Sequence, residues 1–301
     1  MRLVHLSDIH FWQYAFNPLR LMSKRMVGMT ALLAGRAKRF HLGGVSRLVE
    51  YVRGLEPDHI LITGDLTTTA LPDEFRAARG ALMGWLHDPS RVTIIPGNHD
   101  RYTWWAHRSR RFEHYFGEFA PRPAFPWLRW LDSATAILGL DPTRSGITAR
   151  GKLPLLQAAE ARRLIADAGS RLGRLVVACH YPVAVPLEFE RDLARKPMLN
   201  ADEMRSWLRT IGPHLFCCGH IHAAWSYRPL EVPNQLCINP GPPLLPRHFG
   251  HNHPGFVEIQ LDGAAVTVDH HAWTGESWEV RPFYHETGFF DLDVRPAAEA
   301  L

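Results

Sequence analysis

The chain has 301 residues, 46% of them hydrophobic, which is enough to bury a sizeable core. Its formal charge of +4 and isoelectric point near 9.0 are too modest to indicate nucleic-acid binding, and no apolar run reaches the roughly 18 residues of a membrane-spanning helix. The N-terminus also lacks a signal-peptide cleavage pattern. We therefore expect a single cytoplasmic domain over residues 1–301, with peripheral attachment to the inner face of the cytoplasmic membrane left open.

Short apolar runs alternate with helical stripes over the first hundred residues. Residues 2–6 and 59–63 have the pattern of buried strands, and residues 45–55 carry apolar side chains at helical spacing between them. A helix is predicted over residues 73–86, with Pro72 and Asp73 as its start signals, and it precedes the strand-like run RVTIIP. This order predicts β-α-β units, which are typical of an α/β fold.

The second half continues the alternation until about Trp225, where strands alone follow one another. The predicted elements are a strand at 135–140, a helix at 155–168, a strand at 175–179, a helix at 201–210, and strands at 215–218, 255–261 and 264–270. The Trp- and Arg-rich segment 101–130 receives no assignment. Four cysteines in strand-like contexts, without C-x-x-C spacing, are expected to be reduced core residues.

Polar motifs follow five of the strand-like runs: SDIH, TGD, GNHD, CHYP and CCGHIH. In an α/β sheet the carboxyl ends of strands meet at one edge, so these side chains are expected to converge. Each motif alone fits a turn or an ordinary surface histidine. Together they supply four imidazoles, two carboxylates and one amide, from His10, His180, His220, His222, Asp8, Asp65 and Asn98.

This mixture of nitrogen and oxygen donors suits Mn, Fe or Zn better than Ca or a cysteine-rich structural zinc site. Seven protein donors are too many for one catalytic ion that keeps a position open. Two divalent ions that share a carboxylate would use them all. Mn²⁺ is the first expectation for the metal pair, and Fe and Zn are the alternatives.

The ordered set D-x-H, GD, GNHD, a later His and GHIH resembles the five motifs of the calcineurin-like metallophosphoesterase superfamily, over about residues 1–243. The resemblance implies a β-sandwich of two mixed sheets flanked by helices, with a dinuclear site at the sheet ends. It also implies the ligand sets. Asp8, His10 and His222 would hold the first ion, Asn98, His180 and His220 the second, and Asp65 would bridge the two.

The same resemblance implies a catalytic role for His99, which lies inside GNHD and would not bind metal. As an imidazolium it would stabilise charge on the phosphoryl oxygens or protonate the departing alkoxide, while the two cations lower the pKa of a water held between them. Asp100 is expected to orient His99 through a ring nitrogen. The alternative for Asp100 is a carboxylate that caps a turn or a helix start.

Substrate identity must come from the segments that the shared motifs leave out, because the superfamily spans many phosphoesters. We expect residues 11–44 to form an inserted helical cap. Residues 16–40 carry six basic and no acidic side chains, and five apolar ones follow a helical stripe: Leu19, Met22, Met26, Met29 and Leu33. The stripe fits packing on the domain's own core, a surface for an acyl chain or the bilayer, or a protein partner.

These features lead to the hypothesis of a phosphodiesterase or pyrophosphatase acting on an amphipathic, membrane-associated substrate. UDP-2,3-diacylglucosamine, from lipid A biosynthesis, is the specific candidate. The alternatives are a soluble cyclic-nucleotide or glycerophosphodiester phosphodiesterase and a non-enzymatic metal-binding scaffold. Arginines in the unassigned segment fit either a solvated face or contacts with substrate anions: Arg101, Arg108, Arg110 and Arg111.

Overall fold

The computed structural model describes residues 1–13, 26, 30, 40–146, 148–246 and 254–291. The strands of this part of the chain are β1 (Arg2–Leu6), β2 (His59–Ile62), β3 (Val92–Ile94), β4 (Trp127–Trp130), β5 (Thr135–Leu140), β6 (Arg174–Cys179), β7 (His214–Cys217), β8 (Ala224–Tyr227), β9 (Gln235–Pro240), β10 (Gly255–Asp262), β11 (Ala265–Trp273) and β12 (Trp278–Glu286). Its α-helices are α1 (Val45–Gly54), α2 (Pro72–Ala81), α3 (Met83–Leu86), α4 (Trp104–Arg108), α5 (Arg111–Phe116), α6 (Leu155–Ala168), α7 (Glu190–Arg195) and α8 (Ala201–Leu208).

The strands form two mixed sheets of six. The first has the order β12-β11-β10-β1-β2-β3, with β1, β2 and β3 parallel and β10 antiparallel to β1. The second has the order β4-β5-β6-β7-β9-β8, with a parallel centre of β5, β6, β7 and β9. All carboxyl ends within each parallel set therefore lie at one edge of their sheet.

The sheets pack face to face, and helices cover their outer faces. Leu3 and Leu61 of the first sheet share a buried cluster with Val176 and Leu215 of the second. On the outer faces, β1 and β2 pack with α1 and α2, and β6 packs with α6 and α8. The central strands β1, β2, β3, β5, β6, β7 and β9 are buried on both faces, which explains their nearly continuous apolar sequences. The expected α/β sandwich flanked by helices is confirmed.

Several predicted elements match the structure closely, whereas one helix is wrong. β1, β5 and α6 have the predicted bounds. The helix predicted over 73–86 is instead two helices, α2 and α3, which meet at Leu82 with φ −93° and ψ 7°. Gly80 and Gly84 flank this break, and each glycine weakens a helix interior by about 1 kcal/mol relative to alanine. The segment left unassigned contains α4, α5 and β4.

The predicted helical cap lies outside the described residues, apart from Met26 and Thr30, and Met26 is 60% exposed. The two ends of the inserted segment are described. Phe11 pairs with the loop after β2, since its N–H donates to the Leu66 carbonyl over 2.7 Å. Phe40 is buried, and the next residue, His41, donates to the Leu244 carbonyl over 3.0 Å. Within the described residues no helix is long and apolar enough to cross a bilayer.

Candidate metal centre

Loops from both sheets meet at the carboxyl ends of β1, β2, β6 and β7. The backbone N–H of Asp8 donates to the Gly64 carbonyl over 3.0 Å, which joins the loops after β1 and β2. The N–H of Gly219 donates to the His180 carbonyl over 3.0 Å, which joins the loops after β6 and β7. The carboxylate of Asp8 links the two sheets, because its Oδ2 accepts the backbone N–H of His220 over 3.0 Å.

Five of the seven candidate ligands have left-handed backbone conformations. Their φ values lie between 53° and 72°, at Asp8, His10, Asp65, His220 and His222. A residue other than glycine in this region typically costs on the order of 1 kcal/mol. Such conformations persist only where surrounding contacts hold them, and here they turn successive side chains of short loops toward one point.

Two glycines allow the loops after β2 and β3 to touch. Gly64 has φ +95°, and a Cβ on it would lie 2.3 Å from the backbone nitrogen of Gly97. A Cβ on Gly97 would lie 2.1 Å from Oδ1 of Asp65. A side chain on Gly97 would therefore displace the Asp65 carboxylate, and one on Gly64 would push the two loops apart.

The first group of donors consists of Asp8, His10, Asp65 and His222, whose ligand atoms all lie within 4.8 Å of one another. Nε2 of His10 and Nε2 of His222 are 3.1 Å apart. Both also face Oδ1 of Asp8, at 3.8 Å from His10 and 3.3 Å from His222. These are the residues expected around the first ion, together with the expected bridging carboxylate.

The second group consists of Asp65, His180 and His220, again within 4.8 Å. Nε2 of His180 lies 3.4 Å from Oδ2 of Asp65 and 3.2 Å from Oδ1 of Asn98, which places the amide beside this group. The Nδ1–H of His180 is directed to the Thr63 carbonyl, 2.7 Å away, so its Nε2 is left to face the group. Asp65 belongs to both groups.

Burial keeps most of the clustered imidazoles neutral. It lowers the pKa of His10 and His220 well below the usual histidine value and lowers that of His222 as well. His180 differs: burial acts in the same direction, but the charge and hydrogen bond of Asp65, with the charge of Asp8, together outweigh it and raise the pKa to about 9. Neutral imidazoles are the form that binds metal.

The two carboxylates stay ionised for a related reason. Burial alone would raise the pKa of Asp8, but the hydrogen bond from His222 and the positive charge of the nearby His180 together outweigh it and lower that pKa far below the usual value. The pKa of Asp65 is lowered by His180 and His99 against the same effect of burial. Buried carboxylates of this kind require positive charge close by. The donor set therefore fits two divalent cations, although the role of each residue as a ligand stays a prediction.

His99 lies at the edge of these groups and is only half-buried. Its backbone N–H donates to Oδ1 of Asp65 over 2.7 Å, and its ring meets that of His10 edge to face, with centroids 4.9 Å apart. Nδ1 lies 2.6 Å from the Thr68 carbonyl, which fixes the proton on Nδ1 and directs Nε2 toward the opposite side of the ring. The arrangement suits a group that donates a proton through Nε2.

The described hydrogen bonds of Asp100 differ from the expected contact with a ring nitrogen of His99. Its carboxylate accepts the backbone N–H of Gly97 over 3.0 Å, the N–H of Thr67 over 2.9 Å and the Thr67 hydroxyl over 3.0 Å. Burial and the charge of Asp65 raise its pKa to about 6. These contacts agree with the alternative, a turn carboxylate that ties the loop after β3 to the loop after β2 and so positions His99 through the backbone.

Sequence reasoning missed Lys196, which contacts His220 twice. Nε2 of His220 lies 2.9 Å from the Lys196 carbonyl, and the Lys196 ammonium donates to the His220 carbonyl. The first contact leaves Nδ1 of His220 for an ion, and the ring of Tyr181 supports the imidazole with centroids 4.2 Å apart. No motif near Lys196 signals this, because the two residues meet only through folding of the loop between β6 and α8.

Two aromatic side chains were also missed. Phe40 packs on the site where the inserted segment ends, with ring centroids 4.6 Å from His10 and 6.1 Å from His222. Tyr102 stacks on His99 with centroids 5.4 Å apart. The arginine at 101 fits neither of the expected environments, since it is buried and binds both Glu113 and Asp141 at 2.8 Å.

The family model for calcineurin-like phosphoesterases matches residues 1–224 of this chain. The chain belongs to the calcineurin-like phosphoesterase family. The five motifs and the two donor groups described above lie within the matched residues. Membership in this family and the convergent donors together support a metal-dependent phosphoester hydrolase.

Comparisons with single proteins agree with this family. The chain is 32% identical over 102 residues to the glycerophosphodiester phosphodiesterase GpdQ of Enterobacter lignolyticus, a match that spans 33% of this chain and 30% of that relative's length. Among solved structures, a dimetal phosphatase from Danio rerio superposes with a TM-score of 0.60 at 13% identity, covering 94% of this chain and 99% of that one. The purple acid phosphatase PPD1 from yellow lupin gives 0.62 at 12% identity, covering 94% and 53%. At such identities the structural similarity concerns the fold alone.

Proposed function

We propose that this protein is a dinuclear-metal phosphodiesterase that hydrolyses a phosphodiester or pyrophosphate bond. The observation that carries the proposal is the membership of Asp65 in both donor groups. Asp8, His10 and His222 would hold one ion, Asn98, His180 and His220 the other, and Asp65 both. When bound, two such ions would supply a nucleophile at neutral pH and positive charge for the phosphoryl oxygens.

Three described basic side chains in the segments next to the candidate ligands have protein acceptors, which favours a diester over a monoester. Arg101 binds Glu113 and Asp141, Lys196 donates to the His220 carbonyl, and Arg111 donates to the Ala70 carbonyl. A monoester dianion carries a second charge that favours an additional guanidinium fork. A diester monoanion needs less positive charge than that.

We expect the Mn²⁺-loaded protein to hydrolyse bis(p-nitrophenyl) phosphate with a kcat/KM at least about tenfold above that for p-nitrophenyl phosphate. The second negative charge of the monoester would have no cationic partner, and an unpaired charge lowers kcat/KM by about tenfold or more. Release of p-nitrophenolate measures both reactions under identical conditions. A protein treated with chelator and reloaded with Mn²⁺ serves as the control for metal dependence. Equal or greater turnover of the monoester would contradict the diesterase proposal.

The leading candidate substrate is an amphipathic diester or pyrophosphate such as UDP-2,3-diacylglucosamine, and a soluble glycerophosphodiester is the second. Similarity to the GpdQ phosphodiesterase favours the second. Exposed apolar side chains favour the first, because they lie in the segments that leave the sheets at the carboxyl ends of β3, β5 and β6, the edge that carries the donors, which we call the site face. They are Trp104 (54% exposed), Trp105 (68%), Leu155 (70%), Leu156 (86%) and Leu187 (81%).

Charge supports contact of this face with an anionic membrane. Residues 16–40, which leave and rejoin the described chain beside the metal centre, bring six basic and no acidic side chains. Apolar side chains next to basic ones are typical of proteins that bind the interface of an anionic bilayer. We therefore propose peripheral membrane contact through the site face, with residues 16–40 taking part.

Vesicle binding should depend on the exposed indoles. We expect the double variant Trp104→Ala, Trp105→Ala to bind vesicles of phosphatidylglycerol and phosphatidylcholine about tenfold more weakly than the natural chain, because two interfacial aromatic side chains are lost. Sedimentation with the vesicles measures this. Leu230→Ala is the matched control, since Leu230 is 95% exposed in the turn between β8 and β9, at the opposite end of the sheet. Equal binding by the double variant and the natural chain would exclude a membrane contact through these residues.

A further inference from the structure

A cavity of about 470 Å³ is lined in part by His41, the residue that follows Phe40. The ring of Phe40 packs on His10, and the next residue, His41, lines the cavity. Leu244 also lines the cavity, and its carbonyl accepts the His41 N–H over 3.0 Å. Consecutive Cα atoms are about 3.8 Å apart, so the cavity begins one residue away from Phe40, whose ring packs on His10.

The loop that forms one wall is fixed to the metal centre. The side-chain amide of Asn239, at the end of β9, donates to the Gly219 carbonyl over 2.7 Å, and its oxygen accepts the Gly241 N–H over 3.0 Å. Pro243 and Pro246 follow in the same loop and line the cavity. The wall and the loop that carries His220 and His222 are therefore held together by hydrogen bonds, and prolines limit the freedom of the wall.

The cavity presents one cation in a favourable orientation. The guanidinium carbon of Arg47, in the first turn of α1, lies 3.6 Å from the centre of the Trp273 ring at the end of β11. The Arg47 side chain is exposed and has no hydrogen bond or ion pair to another described residue. A guanidinium stacked on an indole keeps its N–H donors pointing outward in their plane, where they can form two parallel hydrogen bonds with a carboxylate or phosphate.

The charge of the other lining residues agrees with an anionic ligand. The described lining contains Arg47 and His41 but no aspartate or glutamate, and most of the remaining wall is proline, glycine and leucine. The volume of the cavity is within the range typical of small-molecule sites, about 300–1,000 Å³. A ligand with an anionic group at the end of a short chain would accept hydrogen bonds from Arg47, and its chain would pack against the apolar wall.

We propose that this cavity is a substrate subsite that binds a carboxylate or phosphate on one arm of the phosphodiester, through the Arg47 guanidinium stacked on Trp273. The inference rests on the proposed phosphodiesterase function and narrows it to diesters in which one substituent carries a second negative charge. The phosphoryl group would lie at the metal centre, and the charged arm would extend past Phe40.

The test compares 5-carboxypentyl p-nitrophenyl phosphate with two diesters that have uncharged arms, hexyl p-nitrophenyl phosphate, which has an arm of the same length, and ethyl p-nitrophenyl phosphate, which has a short one. We expect the natural chain, loaded with Mn²⁺, to have a kcat/KM about tenfold higher for the phosphodiester that carries a carboxylate than for either alkyl phosphodiester. The Arg47→Ala variant should reduce this ratio to about one, and Arg47→Lys should retain part of it. Arg53→Ala is the control, since Arg53 is exposed in the last turn of the same helix and lines a different cavity.

A ratio near one in the natural chain, or a ratio that Arg47→Ala leaves unchanged, would overturn the subsite. Failure to hydrolyse any of the three esters would count against the phosphodiesterase function instead. In that case calorimetric binding of ethyl 5-carboxypentylphosphonate, which has no ester arm on the carboxylate side to cleave, decides the subsite. About tenfold weaker binding to Arg47→Ala supports it, and equal binding to both proteins overturns it.

Discussion

Replacing Asp65 by asparagine is expected to lower kcat/KM for bis(p-nitrophenyl) phosphate by about 10³-fold or more. Asp65 is the one residue common to both donor groups, and an amide offers a single neutral oxygen where the carboxylate offers two charged ones. Metal ions supply several kcal/mol of charge stabilisation in phosphoryl transfer, and about 4 kcal/mol corresponds to 10³-fold in rate. The variant keeps an oxygen that can accept the His99 N–H.

Metal content gives a second measurement for the same variant. After Mn²⁺ loading and desalting, elemental analysis should find about two ions per natural chain and fewer in Asp65→Asn. Asp58→Asn is the matched control, because Asp58 is an exposed carboxylate that accepts the Arg2 N–H at the start of β1, away from the site. Full metal content together with more than a tenth of the natural activity in Asp65→Asn would refute the bridging role.

Replacing His99 by asparagine is expected to slow substrates with alkoxide leaving groups by about 10²- to 10⁴-fold, the usual contribution of a general acid. The loss should be far smaller for p-nitrophenolate, which departs without a proton. Asparagine suits this test because its side-chain N–H can replace the Nδ1–H that His99 donates to the Thr68 carbonyl. The change then removes Nε2 while the loop contact is preserved.

The comparison needs one substrate of each kind, glycerophosphoglycerol and bis(p-nitrophenyl) phosphate, assayed at the same pH and Mn²⁺ concentration. His114→Asn controls for the loss of an imidazole, since His114 is exposed on α5. If His99→Asn slows both substrates equally, His99 acts on the phosphoryl charge and does not protonate the leaving group. If it slows neither, the catalytic role assigned to His99 is wrong.

The sequence carried most of the information about the fold and the donors. Strands buried on both faces have nearly continuous apolar runs, so β1 and β5 could be bounded from the sequence alone. The candidate ligands were found because each follows such a run, and parallel strands place their carboxyl ends together whatever the length of chain between them. Asp8 and His220 contact each other across 212 positions, yet both lie directly after strands.

Only the tertiary structure decided the contacts of residues that do not directly follow a strand. Lys196 reaches His220 because the segment between α7 and α8 meets the loop after β7, and Arg101 is buried because Glu113 and Asp141 approach it from two different segments. The hydrogen bonds of Asp100 likewise depend on how closely the loops after β2 and β3 approach. Periodicity in a sequence records which face of an element is buried, because burial acts on every turn or alternate residue. It does not record which partner a polar side chain meets, since that depends on the packing of two sheets whose loops meet only in the folded chain.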